Sequence, residues 1–367
     1  MGRQSTPGTE SRTGGRLRPA ARLGAFSKAT CVSMSELTQQ VRQWGIVGAG
    51  GAGFPTYVKL GATVTTVIVN AAECEPLLHK DKELMRARPA EMIEGLALAM
   101  KETGAAEGVI GVKAKYEDVI ALLEARRAAN MRIHPLRDYY PTGDEFVLTY
   151  ETTGRVIPPG GLPKDVGCLV QNVETLYWVR DIVEKGAAWF TGHGRRGRKG
   201  LRSFSVSGRV KKPGVVLAPA GVSARELIDE FCGGMAEGHR FKAYLPGGAS
   251  GGILPASMGD IPLDFGTLEP HGCFIGSAAV VVLSDKDDMK AAALNLMRFF
   301  EDESCGQCTP CRVGTEKAVA LMSRPKWDEA LLGDLAQAMA DASICGLGQA
   351  ACNPLRTVMK HFREELS

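Results

Sequence analysis

The chain lacks any apolar run approaching the roughly 18 residues that a membrane-spanning helix needs, so we expect no direct membrane span. It also has little excess charge, and a net charge of +3 is too small to indicate a nucleic-acid partner. Its six histidines never fall into H-x-x-x-H spacing, and no Ser/His/Asp arrangement competes for a catalytic role. A secretory signal is also missing, and most of the ten cysteines lie outside any pattern, which predicts a reducing, cytoplasmic compartment.

Residues 1–33 differ in composition from the rest of the chain. They contain six Arg or Lys residues, one acid and many Gly, Ser and Pro residues. Such segments are typical of targeting presequences, but a disordered extension ahead of a start at Met34 explains the composition as well. We favour the disordered extension, because Ser35 is a suitable N-cap for a helix that begins directly after Met34.

Hydrophobic periodicity divides the remainder into three predicted domains, which cover residues 34–197, 198–285 and 286–367. In the first, strands alternate with helices such as Pro89–Thr103 and residues 117–130, which predicts an α/β Rossmann-like domain with a largely parallel sheet. In the second, the period-two segment 202–208 and the turn after it predict a β-grasp domain. The third has only helix-compatible spacing, over residues 288–301, 314–322, 327–342 and 354–365, and predicts a helical bundle.

A cysteine triplet stands in the predicted helical bundle. Cys305, Cys308 and Cys311 have C-x2-C-x2-C spacing, and a bundle can bring Cys345 to the same end. Bacterial [4Fe–4S] sites combine such a triplet with a remote cysteine. Zinc is an alternative, although zinc sites usually divide their ligands into two pairs. A disulfide framework is a second alternative, which a chain of this length does not need.

Glycines are concentrated in residues 45–56, where Gly48, Gly50, Gly51 and Gly53 fall close together. Without Cβ atoms, the backbone N–H groups of such a loop can approach a phosphate or the edge of a flavin. The G-x-G-x-x-G spacing is weak support for a dinucleotide site, because this loop precedes the first predicted strand instead of following it. The glycine count alone leaves a ligand loop and a plain turn equally open.

Two acids, Glu73 and Glu75, follow the first predicted strand, residues 64–70. Alternate residues of an extended segment point the same way, so both carboxylates could face one pocket. A solvated surface position is the commoner state of glutamate and stays open. Residues 140–145 and 171–175 add polar clusters at further loop positions.

Five motifs together resemble a known family, and they occupy residues 50–56 (GGAGFPT), 70–76 (NAAECEP), 172–176 (NVETL), 245–250 (LPGGAS) and 303–312 (ESCGQCTPCR). They are similar to the flavin-bearing, NADH-oxidising subunit of respiratory complex I. They are also similar to the diaphorase subunits of NAD-linked hydrogenases and formate dehydrogenases. The resemblance runs from about Gly45 to the C-terminus, and the cysteine segment is its most specific part.

The resemblance implies non-covalent FMN, NAD(H) and one [4Fe–4S] cluster. The FMN contacts that it implies are Gly48, Gly50, Gly51, Gly53, Lys59, Asn70, Glu73, Glu145, Asn172 and Thr175. Phe54 and Glu75 fall where the family contacts NADH, and Glu75 is the expected catalytic residue, orienting the nicotinamide end. Cys345 matches the remote fourth ligand of the cluster.

The chain departs from the complex I pattern at its nucleotide site. Ala49 stands where that pattern has arginine, and the two aromatics that frame the adenine fall near Ala62 and Gly160. Parts of the N-terminal half instead resemble the NADH-binding C subunit of Rnf-type complexes, whose two ferredoxin-like cysteine runs are missing here. Cys352 could replace Cys345 as a ligand, although we expect a buried packing thiol.

These features predict a diaphorase-type subunit that passes electrons from NADH through FMN to the cluster, or in the reverse direction. One cluster without a catalytic metal site must hand electrons on. The expected partners are therefore a small [2Fe–2S] electron-transfer subunit and a dehydrogenase- or hydrogenase-type catalytic subunit. A second hypothesis is a non-catalytic iron–sulfur subunit that no longer binds NADH, and a third is a zinc-stabilised binding module.

Overall fold

The computed structural model describes residues 34–158 and 160–366, and those from Ser35 onward belong to one compact unit. The extension predicted for residues 1–33 lies outside the described residues. Within the described ranges, the chain forms a parallel sheet flanked by helices, a second, mixed sheet and a C-terminal group of helices.

The first sheet has four parallel strands in the order β3-β2-β1-β4. These strands are β1 (Thr66–Ala71), β2 (Glu107–Lys113), β3 (Met131–Leu136) and β4 (Cys168–Asn172). β1 and β2 are almost fully buried, as expected for strands covered on both faces. Asn70 pairs with Asn172 in register, so the segments that follow β1 and β4 leave the sheet side by side. Ligands of such sheets bind at this carboxyl edge.

The helices of this region are α1 (Glu36–Trp44), α2 (Thr56–Leu60), α3 (Lys80–Ala87), α4 (Pro89–Thr103), α5 (Glu117–Glu124), α6 (Glu145–Thr153), α7 (Val173–Lys185) and α8 (Ala187–Thr191). The N-cap predicted for α1 is confirmed, because the Ser35 hydroxyl accepts the N–H of Thr38. α4 covers the predicted residues. α5 ends before residue 130, where the prediction placed its end, because the chain leaves the helix at Ala125 to reach β3.

The second sheet has the strand order β6-β5-β9-β7-β8, in which β5 and β9 are parallel and the other neighbours are antiparallel. Its strands are β5 (Leu201–Gly208), β6 (Gly214–Pro219), β7 (Phe241–Leu245), β8 (Leu254–Pro255) and β9 (Ala279–Ser284). The helical segment α9 (Ala224–Glu226) continues as a π-helical turn over Leu227–Phe231. Leu227 and Ile228 enter the core beside Phe204, as expected for a helix packed on a β-grasp sheet.

The C-terminal helices are α10 (Met289–Asp302), α11 (Thr309–Met322), α12 (Glu329–Ala342), α13 (Gly346–Ala350) and α14 (Asn353–His361). Phe300, Leu332 and Met339 are completely or almost completely buried between them. α11 begins before residue 314, where the prediction placed its start, because Pro310 is compatible with a first helical turn. None of the helices in residues 34–158 and 160–366 is long and apolar enough to cross a membrane.

Candidate functional site

A cleft of about 590 Å³ is lined by residues of the first sheet and its loops, of loops in the second-sheet region and of the C-terminal helices. The glycine loop and the segments after β1 and β4 form one part of its wall. The turns around Gly247 and Gly276 form another, and the start of α13 completes it. Of the site residues predicted from sequence, the lining includes Gly50, Gly51, Asn70, Glu73, Glu75, Asn172 and Cys345.

The glycine loop is closed at its base by the N–H of Gly48, which donates to the carbonyl oxygen of Phe54 at 2.9 Å. Gly50 passes so close to Asn172 that a Cβ on Gly50 would lie 3.0 Å from the Asn172 Cβ. Around Gly51, by contrast, a Cβ would meet nothing within 4 Å. The loop therefore needs glycine for its own packing at Gly50 and presents bare backbone to the cleft at Gly51.

Residues at the start of α7 hold the glycine loop in place through hydrogen bonds. The Asn172 side chain caps the helix by accepting the N–H of Thr175 at 3.3 Å. Thr175 Oγ1 in turn accepts the N–H of Ala49 at 3.0 Å. Thr175 is completely buried and does not line the cleft, so its hydroxyl fixes the loop instead of facing a ligand.

Other predicted ligands also lie outside the cleft lining. Gly53 has φ +63°, and a Cβ there would lie 2.7 Å from the ring of Phe265 in the second-sheet region. Phe54 is 41% exposed, and Lys59 Nζ lies 5.7 Å from its ring centroid. Burial lowers the pKa of Lys59, against the raising effect of the nearby Glu145 carboxylate. Lys59 and Glu145 therefore interact electrostatically, outside the cleft lining.

Glu73 reaches the cleft through a turn, because β1 already ends at Ala71. Its φ of +41° is unusual for a side-chain-bearing residue and directs the carboxylate to the start of α3. There it accepts the N–H groups of Asp81 at 2.6 Å and Lys82 at 3.0 Å. The expectation that both acids face one pocket agrees with the structure, but strand alternation is not the reason.

Glu75 bridges the first sheet region to the second. Its Oε1 accepts the N–H of Ala249 at 2.6 Å, and a Cβ on Gly248 would lie only 2.3 Å from the same oxygen. Burial raises the pKa of Glu75 to about 7, and the hydrogen bond from Ala249 opposes that rise only in part. The carboxyl can therefore gain or lose a proton near neutral pH.

A buried ion network lies beside these acids, and the sequence analysis missed it. Lys80 Nζ lies 2.8 Å from Asp81 Oδ1 and 2.8 Å from Glu174 Oε2. Asp81 Oδ2 accepts the side-chain amide of Asn172 at 2.6 Å, and Glu174 Oε1 accepts the N–H of Ser203 at 2.7 Å. A charged run such as residues 79–83 normally indicates a solvated helix start, so the sequence carries no clear signal of this burial.

The loop before α6 joins the cleft to the cysteine segment. The Asn70 amide donates to the carbonyl oxygen of Gly143 at 2.8 Å and so fixes this loop at the end of β1. Tyr140, in the same loop, lines the cleft. Its N–H donates to Glu303 at 3.2 Å, and its ring meets Phe299 edge-on at a centroid distance of 5.3 Å. The sequence of the polar cluster at 140–145 did not predict this contact between Tyr140 and the cysteine segment.

The four predicted cluster cysteines are found at, or just before, the starts of two helices. Cys308 is the N-cap of α11, Cys311 is buried in the first turn of that helix, and Cys305 is exposed in the preceding loop. Cys345 is the N-cap of α13 and lines the cleft. Gly348 in α13 approaches Cys311 so closely that an added Cβ would lie 2.8 Å from the Cys311 Cβ.

The pKa of Cys311 is affected by the other three predicted cluster cysteines. Burial raises the pKa of Cys311, a hydrogen bond with Ser304 lowers it, and Cys308, Cys345 and Cys305 raise it further. Across residues 34–158 and 160–366, however, no three His, Cys, Asp or Glu side chains form a metal-binding group. The four-thiol donor set, placed at helix starts, nevertheless has the chemistry that a [4Fe–4S] cluster requires.

The remaining thiols behave differently. Cys352 is buried, its Sγ lies 3.5 Å from Met339 Sδ, and burial raises its pKa to about 12. It therefore packs between helices, as expected, whereas Cys345 lines the cleft. Cys168, Cys232 and Cys273 are buried and free, with no pairing. Cys74, by contrast, lines the cleft between Glu73 and Glu75.

The cleft also fits FMN. Its volume lies within the range of about 300–1,000 Å³ that is usual for cofactor sites. Bare backbone at Gly50, Gly51, Gly247 and Gly276 permits close approach of a flat ring or a phosphate. Carboxylate oxygens in the same lining can accept hydrogen bonds from sugar hydroxyls.

Family models agree with this assignment of regions. Residues 41–181 match the Nuo51 FMN-binding domain, residues 203–254 match the SLBB domain, and residues 291–367 match the NADH-ubiquinone oxidoreductase-F iron-sulfur binding region. The second sheet is therefore the SLBB-type β-grasp unit, and the C-terminal helices are the iron–sulfur binding region.

Named relatives point the same way. The chain is 34% identical to the NADH-quinone oxidoreductase F 2 subunit of Rhizobium meliloti (strain 1021), over 90% of this chain and 87% of that protein. It is 32% identical to the mitochondrial NADH dehydrogenase [ubiquinone] flavoprotein 1 of Dictyostelium discoideum, over 94% of this chain and 82% of that protein. A crystal structure of an NAD⁺-reducing [NiFe]-hydrogenase in the H₂-reduced state matches with a TM-score of 0.79 and 32% identity. The alignment covers 90% of this chain but only 62% of the hydrogenase chain.

The fold, the cleft and the four-cysteine end define an oxidoreductase subunit of the NADH dehydrogenase type, with an FMN-binding domain and an iron–sulfur binding region. More closely, the chain belongs to the family of the F subunits of NADH-quinone oxidoreductase.

Proposed function

We propose that this chain is a diaphorase-type subunit that oxidises NADH and passes the electrons to redox partners, or reduces NAD⁺ in the reverse direction. One observation carries the proposal: Cys345 lines the same cleft as Gly50, Gly51 and Asn172. The predicted flavin site and the predicted cluster site therefore adjoin each other at this cleft.

The cleft residues have distinct tasks in this proposal. Gly50 and Gly51 would lie against FMN with bare backbone, while Asn70 and Glu73 hold the adjoining turns in place through their backbone contacts. Nicotinamide exchanges two electrons at a time, whereas an iron–sulfur cluster exchanges one. Bound FMN supplies the conversion between the two, because it can do both. Thr175 keeps the loop in shape through Ala49.

Glu75 is the residue that we assign to NADH. Its carboxyl lies in the cleft wall, and its pKa of about 7 lets it hold a proton at Oε near neutral pH. The bond from the Ala249 N–H orients the carboxyl and limits its motion. Glu75 can therefore orient the carboxamide end of the nicotinamide as a hydrogen-bond acceptor or, when protonated, as a donor.

Electrons would leave through Cys305, Cys308, Cys311 and Cys345. Cys305 is exposed and gives that site a face open to a partner. A small [2Fe–2S] subunit and a dehydrogenase- or hydrogenase-type catalytic subunit are the partners that we propose. The described cysteines are all free, which supports a reducing, cytoplasmic compartment.

The test is reconstitution of the full chain with FMN, iron and sulfide, followed by NADH-dependent reduction of ferricyanide. We expect turnover that requires FMN, and Glu75→Gln should lower kcat/KM about tenfold with unchanged FMN content. The matched control is Glu237→Gln, an exposed carboxylate outside the cleft lining, which should leave kcat/KM unchanged.

A second candidate is an iron–sulfur subunit without NADH activity. The observation that favours it is Phe54, which is predicted to contact NADH but lies outside the cleft lining. Protein with full FMN and iron that shows no NADH turnover would establish this second candidate and defeat the diaphorase proposal. Zinc without labile sulfide would instead indicate the zinc-stabilised module.

A further inference from the structure

The Asp81 carboxylate is a buried charge with two different partners. It is 3% exposed, its Oδ1 pairs with Lys80 Nζ at 2.8 Å, and its Oδ2 accepts the Asn172 amide at 2.6 Å. A buried charge of this kind is tolerated only when it is paired and hydrogen-bonded. Because Asn172 could cap its helix without Asp81, the second bond needs an explanation beyond charge pairing.

Asn172 carries the effect of Asp81 to the glycine loop. The Asn172 side chain lies against Gly50, where an added Cβ would lie 3.0 Å from Asn172 Cβ and 3.5 Å from Asn172 Nδ2. Its Oδ1 caps α7, and the same helical turn holds Ala49 through Thr175. By accepting the hydrogen bond from Nδ2, the Asp81 carboxylate holds the Asn172 amide in the orientation in which Oδ1 caps the helix and Nδ2 lies beside the loop.

Glu174 anchors the network to the second sheet. Its Oε2 forms an ion pair with Lys80 Nζ, and its Oε1 accepts the N–H of Ser203 in β5. Lys80 and Glu174 are completely inaccessible to solvent, so neither can leave without exposing the other as an unpaired buried charge. Asp81, which itself lines the cleft, is therefore held at Oδ1 by a buried ion pair and accepts the Asn172 amide at Oδ2.

We propose that Asp81 is a positioning residue for FMN, which acts through Asn172 to set the shape of the glycine loop; this inference rests on the proposed function. An acid is required because both carboxylate oxygens accept hydrogen bonds from donors. In Asp81→Asn the single amide oxygen can serve either Lys80 or Asn172, and the new NH₂ group must face the other donor.

The experiment is a titration of FMN into the full-length chain after removal of bound flavin, with quenching of flavin fluorescence as the signal. We expect Asp81→Asn to raise the Kd for FMN about tenfold. Asp118→Asn is the control, because Asp118 pairs with Arg86 on an exposed surface and should leave the Kd unchanged. If wild type binds FMN and Asp81→Asn binds it equally well, the inference is wrong and the proposed function stands.

A swap variant separates positioning from stability. In Asp81→Asn with Asn172→Asp, the amide at 81 can donate to the acid at 172 and accept from Lys80, and aspartate remains a good N-cap for α7. Because Asn172 is itself a predicted FMN contact, the double variant is compared with Asn172→Asp alone. We expect the double variant to bind FMN more tightly than Asn172→Asp, because the amide at position 81 can donate to the new acid. A double variant that folds, by its unfolding midpoint, but binds FMN no more tightly than Asn172→Asp would overturn the inference, also where Asp81→Asn alone does not fold. A wild type that binds no FMN would refute the proposed function instead.

Discussion

The cleft and the cysteine end of the C-terminal helices hold their groups in different ways. In the cleft, the polar side chains already have protein partners, such as Glu73 with the start of α3 and Asp81 with Lys80. At the cysteine end, Cys305 is exposed, and no metal-binding group of three side chains is formed in the described ranges. The cleft is therefore preorganised by internal hydrogen bonds, whereas metal binding must complete the cysteine site.

The largest expected effect concerns the cysteine end. Cys345→Ala should lose most of the iron and labile sulfide, because three remaining thiolates cannot complete a four-cysteine site. Cys352→Ala, which removes a thiol that packs against Met339, should keep both. Chemical iron and sulfide analysis decides between the two. Iron loss in Cys352→Ala with retention in Cys345→Ala would reverse our assignment of the fourth ligand.

A smaller effect is expected at the glycine loop. Gly53→Ala combines a strained φ of +63° with a contact of 2.7 Å to Phe265, and should lower the free energy of unfolding by about 2–3 kcal/mol. Gly104 has a similar φ of +70°, but a Cβ there would meet nothing within 4 Å. Gly104→Ala should therefore lower the free energy of unfolding by only about 1 kcal/mol. Denaturant unfolding measures both. Equal losses would show that the loop is not packed as tightly as the cleft requires.

The pH dependence of stability tests Glu75. Its pKa in the fold, about 7, lies above the ordinary value of 4.5, so its protonated form stabilises the fold at low pH. That contribution is complete below pH 4.5 and is lost as the pH rises through 7. Glu75→Gln cannot lose it, so its unfolding free energy relative to wild type should rise by about 2 kcal/mol from low to high pH.

The control for this measurement is Ser250→Ala. Ser250 lines the same cleft and has no ionisable side chain, so its substitution should change stability equally at both pH values. A difference between Glu75→Gln and wild type that is independent of pH would show that the cleft is more hydrated than its packing indicates.

Local signals allowed most of the fold to be predicted from sequence. The bounds of α4 and the N-cap of α1 follow from periodicity and capping, which depend on neighbouring residues. The cysteine spacing and the family motifs gave the cofactors in the same way. The shortened α5 was predicted incorrectly, because the start of β3, and not helix propensity, fixes its end.

The support of the cleft could not be predicted, because it depends on contacts between distant segments. Glycine counting left the loop undecided, and the close approach of Gly50 to Asn172 and of Gly53 to Phe265 gives it a physical reason. The burial of Lys80 and Asp81 depends on Glu174, far away in the chain. The roles of the predicted ligands towards FMN and NADH stay predictions.

The lining of the cleft has a consequence for the biosynthesis of this protein. Its wall includes Gly50, which is synthesised early, and Leu347 and Ala350, which are synthesised much later. The pocket therefore stays incomplete until α13 has left the ribosome. If FMN binds in this cleft as proposed, its capture would wait for that helix, and truncated chains that stop before α13 would be released without a complete pocket.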